Sequence, residues 1–432
     1  MKEDLLHFIW QYQYFHKEEL QTTDGKPLHV LFQGHPNTDA GPDFFNGKIR
    51  IENVEWIGNI EIHVNSSAWK DHHHEQDETY NSVVLHIVFS NDENVYRKDG
   101  TIVPVLELKE RIFPEVIEKY RAFIQDEGIP CLSRFSDVPE VIKFNMLDSA
   151  LSERLERKSQ KIISELGRNN NDWEETCYQM LASNFGFKLN NDPFLRLSKI
   201  LPYKLINKCS GNQFQIEALL FGMSGLLKGR FEDEYPRALQ KEFTYLSVKF
   251  SLQNKEMSGA EWKFLRVRPA GFPSMRIAQL AALLAHHQKL FYKFIESQSR
   301  KELFAVFDIA TGPYWINHYT FDVLSDGKEK KLGKTSIYNL IINSVVPLMA
   351  AYGKQRDIPG LVDKAIEFLE ALPAEENFIT QKWKKNTLKL KSAFDTQASI
   401  ELYTNFCLKK QCLKCKIGIN ILKETCISGA SI

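Results

Sequence analysis

The chain of 432 residues carries 55 basic and 55 acidic side chains, so its formal net charge is zero. Bulk charge excludes a protein that coats nucleic acid or anionic membrane through a generally basic surface, and any polyanion site has to be a local groove. A hydrophobic content of 43% is ample for the two or three packed domains that this length allows.

The N-terminal stretch MKEDLLHFIWQYQYF places acids where a signal peptide has bases, and it lacks a small-residue cleavage site. Its apolar residues Leu5, Phe8, Ile9, Tyr12 and Phe15 recur at helical steps, which predicts an amphipathic helix over 3–20. TTDGKPLHVLFQG then reads as a turn entering a short strand. Strands follow over 44–51, 56–64 and 83–89, with a helix inserted near 69–81. Beyond the turn at Lys98-Asp99-Gly100 comes the strand TIVPVLEL. VVLHIVF is apolar on both faces apart from His86, as expected of a central strand covered on two sides.

Residues 41–89 gather metal-compatible side chains as no other stretch does. In GNIEIHV, Ile60, Ile62 and Val64 fall on one face of a strand and Asn59, Glu61 and His63 on the other, because side chains alternate with period two. Asp43 follows the turn pair Gly41-Pro42 and opens the preceding strand. Pairing of these strands brings Asp43 toward Glu61 and His63, two carboxylates of the kind that bind Mg2+ or Mn2+ together with waters and phosphate oxygens. The alternatives are a capping role for Asp43, a solvated strand face for Glu61 and His63, and a hydrogen-bonded core position for His86. His72, His73 and His74 cannot all face one site, since neighbours diverge by about 100° on a helix and about 180° on a strand. At most two of them are expected to act. Trp69, at helical spacing from His73, Gln76 and Tyr80, is a substrate-stacking residue or part of a packing face.

Pro42-Asp43 followed by Glu61-Ile62-His63 resembles the PD-(D/E)XK nuclease pattern, with histidine where lysine is usual. Continued through Ser66 to His74, the stretch is similar to the very-short-patch repair endonucleases. That resemblance implies Asp43 and Glu61 as metal ligands, with His63 and one of His72–His74 acting on the attacking water or the leaving group. Over its whole length the chain resembles a bacterial family known only as a domain of unknown function, through AGPDFFNGKI, GNIEIHV, RVRPAGFPSMRIAQLAAL and the cysteine-rich end. The second resemblance implies no activity.

From about residue 141 the pattern turns helical, with the clearest helices over 173–187, 215–227, 275–295, 336–352 and 358–372. Arg266, Arg268 and Arg276 in RVRPAGFPSMRIAQL are planar donors beside rigid turns, suited to phosphate or, alternatively, to acids of their own domain. Tyr314, Trp315, His318 and Tyr319 offer a base-stacking surface or, more simply, core. Near the C-terminus Cys407, Cys412 and Cys415 form C-x4-C-x2-C, a run suited to Zn2+ or an iron–sulfur cluster once a fourth ligand, Cys426 or Cys131, is supplied.

The combined reading is a cytoplasmic protein without an apolar run long enough to span a bilayer. It has an α/β (α+β) nuclease-like core with a mixed sheet over 1–125, a mostly α-helical domain over 135–405 and a cysteine-rich segment over 406–432. Three functions fit these residues. The first is a Mg2+- or Mn2+-dependent nuclease acting on DNA or RNA. The second is a catalytically inactive scaffold that binds nucleic acid or protein, and the third is a transition-metal hydrolase of a small substrate using His63, His72, His74 and His86.

Overall fold

Alternating apolar residues build a six-stranded mixed sheet in the N-terminal part of the chain. The computed structural model of the protein describes residues 1–37, 40–125, 128–385 and 388–427, the last three for their backbone alone. Two units make up the chain, Met1–Met146 with Leu402–Ile432, and Leu147–Glu401.

In the first unit the helix α1 (Glu3–Tyr12) is followed by strands β1 (Leu28–Phe32), β2 (His35–Pro36), β3 (Phe44–Ile51), β4 (Val54–Asn65), β5 (Val83–Ser90) and β6 (Val105–Glu107). The order is β1-β3-β4-β5-β6, with β2 also pairing β3. β1, β3 and β4 are antiparallel, whereas β5 lies parallel to β4 and β6 parallel to β5. A parallel pair needs a crossover, and residues 66–82 provide it. α1 is shorter than its periodicity predicts: Gln13 turns left-handed (φ 59°) and Phe15 leaves the helix to bridge Ile112.

The two faces of the sheet bury different things. Ile60 and Ile62 of β4 with Leu85 and Ile87 of β5 pack into one core with Leu5, Leu6 and Ile9 of α1. On the other face Val83, Val88 and Val105 meet Trp69 and Tyr80 of the crossover. Glu61, His63 and His86 point toward this second layer and are buried, so the expected solvated strand face is not what forms.

The crossover is not the single helix predicted near 69–81. It is one turn of helix, α2 (Ala68–Asp71), followed by 3-10 turns at His74–Gln76 and Glu78–Ser82. His73, left-handed at φ 60°, breaks the helical path. Asp92 holds the entry: its carboxylate accepts from the Ser66 hydroxyl, the Ser67 amide and the Ser67 hydroxyl, each at 2.8 Å.

Among its described residues the second unit is mostly helical, with a short hairpin of His318–Thr320 and Val323–Leu324. The helix expected over 275–295 is two, Pro273–His286 and Leu290–Glu296, separated where Lys289 turns left-handed. Lys334–Gln355 runs as one apolar rod with a π turn at Ile341–Val345. Pro347 has no N–H for the carbonyl of Asn343, and the Asn184 amide donates to that carbonyl at 3.2 Å instead. By length and composition this helix is apolar enough to cross a bilayer, yet 72% of its best 18-residue window is buried, as in a core helix.

Candidate functional site

The register of β3 and β4 brings the first two acids together. Phe44 pairs with Ile60, and a bulge between Phe44 and Gly47 leaves Asp43 beside Glu61. The Asp43 amide donates to Glu61 Oε2 at 3.1 Å, and the Ile62 amide donates to Asp43 Oδ2 at 2.9 Å. Each acid is thus held by the strand that carries the other. The second oxygen of Glu61 is turned toward imidazoles, with Oε1 3.2 Å from His74 Nε2 and 3.6 Å from His63 Nε2.

Left-handed His73 explains how two adjacent-looking histidines meet one point. It reverses the chain locally, so that His72 and His74 approach His63 from either side while His73 itself stays exposed. His63 Nε2 is 3.1 Å from His72 Nδ1, and the rings of His63 and His74 are parallel within 17° at 5.4 Å. Suitable ligand atoms of His63, His72 and His74 all lie within 4.8 Å of one another, and this trio could hold a metal ion. His63 and His74 are buried, whereas His72 is exposed and opens the cluster to solvent.

Behind this cluster stands His86. Its Nε2 is 2.9 Å from His63 Nδ1, a hydrogen bond in which one ring donates. His86 Nδ1 and His74 Nε2 are buried without a hydrogen-bond partner, since the close approach of His74 to Glu61 lacks hydrogen-bond alignment. Trp69 is fully buried, packs its ring against His74 and His86, and donates its indole N–H to the Tyr96 carbonyl at 3.0 Å. It forms the floor of the cluster. Tyr80 stacks on the other side of His74 at 3.7 Å.

The electrostatics follow from burial. Desolvation, then the neighbouring imidazoles, push His63 down to about 2, and desolvation pushes His86 down to about 3. His74 is lowered for the same first reason. Burial, and next the Asp43 carboxylate, drive Glu61 far above the usual carboxylate range. In the absence of a cation the site is therefore a set of neutral imidazoles around an acid that resists ionisation.

Two participants escaped the sequence reading. His7 of α1 places Nε2 3.3 Å from Asp43 Oδ2, an ion-pair distance without hydrogen-bond alignment. Burial alone would lower His7, but Asp43, Glu3 and Asp4 outweigh it and raise it. Glu3 is raised by burial, with His7, Asp43 and His72 among the charges it feels. Their signal in the sequence is the i, i+4 spacing of Glu3 and His7 in the amphipathic helix α1.

The remaining predicted residues lie elsewhere. Arg266, Arg268 and Arg276 belong to the second unit. The Arg276 guanidinium covers the Phe187 ring at 4.2 Å and donates to Gln279 Oε1 at 2.9 Å and Ser336 Oγ at 3.1 Å, so it is held by its own unit. Arg266 and Arg268 are exposed. Cys407, Cys412 and Cys415 are buried in the first unit, as is Cys131, whereas the side chain of Cys426 lies outside the described residues.

Compared with known proteins, the chain matches the family described as "Protein of unknown function (DUF2851)" over residues 3–378 and belongs to it. No curated protein and no solved structure matches the chain.

Proposed function

We propose that the first unit is a metal-dependent hydrolase of phosphodiester bonds, in which His63, His72 and His74 hold a divalent transition-metal ion and Glu61 takes the proton of the attacking water. One observation carries the reading. The ligand atoms of His63, His72 and His74 lie within 4.8 Å of one another, with His63 Nε2 and His72 Nδ1 at 3.1 Å near the edge of a coordination tetrahedron, and Glu61 Oε1 stands 3.2 Å from His74 Nε2 and 3.6 Å from His63 Nε2, where it can reach a water beside them. That edge is about 3.3–3.4 Å when metal–nitrogen bonds are about 2.0–2.1 Å. Three imidazoles favour zinc or another transition metal over Mg2+, which prefers oxygen donors and retained water.

Such an ion lowers the pKa of a bound water and neutralises charge developing on a phosphoryl oxygen. The chain's own residues do the rest. If His63 Nδ1–H donates to His86 Nε2, the lone pair of His63 Nε2 is directed at the ion site, and His86 carries its proton on the unpartnered Nδ1. The Asp43 amide fixes Glu61 Oε2, which aims Oε1 at the same point. Asp43 is in turn held by the Ile62 amide and approached by His7. The phosphodiester substrate rests on the Asp43 and Glu61-x-His63 pattern, carried on two neighbouring strands as in the nuclease motif it resembles. Exposed His72 is the side from which substrate enters.

A nucleic-acid- or protein-binding scaffold without catalysis is the second reading, favoured by the zero net charge and by His63 standing where the nuclease motif usually has lysine. Metal analysis of the full chain, with hydrolysis assays on single- and double-stranded DNA and RNA and on a small activated phosphodiester, separates the two. The proposal expects about one transition metal per chain at this site and hydrolysis that falls on the order of 10²–10⁴-fold in Glu61→Gln. His63→Ala should lose the metal. Bound metal with turnover of the small ester alone would replace nucleic acid by a small substrate, and nucleic-acid binding with no turnover would favour the second reading. A metal-free protein that hydrolyses nothing would end the proposal.

A further inference from the structure

The first unit contains a second convergence of ligand-type side chains, unrelated to the histidines. Cys131 follows Pro130 at the start of a 3-10 turn (Leu132–Asp137), and Cys407, Cys412 and Cys415 lie ahead of the helix Lys416–Ile427. Although far apart in sequence, the four line a single small cavity of about 10 Å3. All four are buried, and none is joined in a disulfide. Phe123, Pro130 and Phe406 make the rest of its wall apolar.

The local backbone is built for this convergence. Lys410, left-handed at φ 53°, turns the chain between Cys407 and Cys412. The Cys415 amide donates to the Cys412 carbonyl at 3.3 Å, which closes the Cys-x2-Cys turn. Burial raises the Cys415 thiol, and the amides of Gly418 and Ile417, which donate to its sulfur, offset part of that rise. A Cβ at Gly418 would meet the Cys412 carbonyl oxygen at 2.4 Å, so only glycine lets the helix start press against that turn. Burial raises the Cys407 thiol, and the neighbouring Cys131, Cys415 and Cys412 raise it further.

We propose that Cys131, Cys407, Cys412 and Cys415 are the four ligands of a thiolate-bound metal centre that fastens the C-terminal segment to the turn following Pro130. Four sulfur donors complete a tetrahedral set. The Cys-x2-Cys pair is common to structural zinc sites, and Cys-x4-Cys-x2-Cys is also a spacing used for iron–sulfur clusters. The shared chemistry is a thiophilic metal held by thiolates, and the two sources are told apart by colour and acid-labile sulfide.

The test uses the full chain purified without oxygen, in a His63→Ala background so that the histidine cluster contributes no metal. Zinc, iron and labile sulfide are measured, and X-ray absorption reads the ligand shell. A shell of sulfur alone, at about 2.3 Å, is expected, and Cys131→Ser should lower metal content at least tenfold. Cys177→Ser, which alters a buried thiol of the second unit, should leave it unchanged. A Cys131→Ser chain that stays folded and keeps its metal would overturn the inference. So would a folded His63→Ala parent with no metal, or a parent of either sequence whose metal shell lacks sulfur.

Discussion

Glu217 of the second unit and Glu61 of the first are both buried glutamates, and their burial is resolved differently. Glu217 of the second unit is fully buried and accepts from Trp315 Nε1 at 2.8 Å, the Tyr235 hydroxyl at 2.8 Å and Gln213 Nε2 at 2.9 Å. Glu61 of the first unit accepts one amide and otherwise faces a second carboxylate and two imidazole nitrogens. Burial raises both acids. At Glu217 donors surround the carboxylate, which is how a structural polar group is satisfied. At Glu61 a second carboxylate and imidazole nitrogens converge instead, beside a histidine trio that could hold a metal ion.

The largest effect should come from emptying the satisfied site. Glu217→Ala leaves the Trp315 indole, the Tyr235 hydroxyl and the Gln213 amide facing a buried void. At about 1–3 kcal/mol per unsatisfied donor, and with partial relaxation, a loss of about 3–5 kcal/mol is expected. Denaturant unfolding reads it, and metal content should not change. A loss below about 1 kcal/mol would erase the contrast between the two glutamates.

The pH dependence should expose the unsatisfied site. His63 at about 2 and His86 at about 3, with His74 also lowered, bind fewer protons folded than unfolded below their ordinary 6.5. Their share of stability is therefore lost as pH falls below about 6.5, at up to about 1.4 kcal/mol per pH unit for each imidazole. Glu61 has the opposite sign: its raised folded value gives stability that is complete below 4.5 and is lost as pH rises above it. Chelator-treated protein should thus be most stable near pH 6.5 and decline on both sides. Glu61→Gln should flatten the alkaline side and steepen the acid side between about 4.5 and 6.5, and an alkaline limb unchanged by that substitution would show Glu61 to be ordinary.

How much of this arrangement the residues announce depends on the range of the physics involved. Alternation along GNIEIHV is local, so the strand, and the shared face of Glu61 and His63, are legible. Their burial is not, because the layer that covers them is a crossover whose packing on Trp69 is tertiary. The approach of Asp43 to Glu61 follows from strand pairing and was readable as a possibility of register. The convergence of His72 with His74 was not, since it rests on a left-handed histidine that carries no glycine or asparagine signal. Cys131 could be named as a candidate fourth ligand, but nothing local to it separated it from Cys426.

Isosteric amides should split the pair at a smaller scale. In Glu61→Gln the amide oxygen keeps the bond from Asp43 N–H, and the new NH2 can donate to His74 Nε2, which has no partner. Removing a repelled acid as well, the change should stabilise the metal-free chain by about 1 kcal/mol. In Glu217→Gln the NH2 must face one of three donors, and a loss of about 1–2 kcal/mol is expected. Changes of the same sign would mean that both glutamates serve the fold in the same way.

The smallest effect concerns the residue between the two converging histidines. His73 is exposed and held at φ 60°, a conformation that costs a non-glycine residue roughly 1–2 kcal/mol. Glycine removes that cost but adds about 0.5–1 kcal/mol of unfolded-state entropy. His73→Gly should therefore be neutral to slightly stabilising, by about 0.5 kcal/mol, with metal stoichiometry intact. His73→Val cannot settle in the left-handed region and should spread His72 from His74, so metal affinity falls while the sheet survives. Loss of metal in the glycine variant would make His73 a ligand and would break the claim that its backbone, rather than its ring, serves the site.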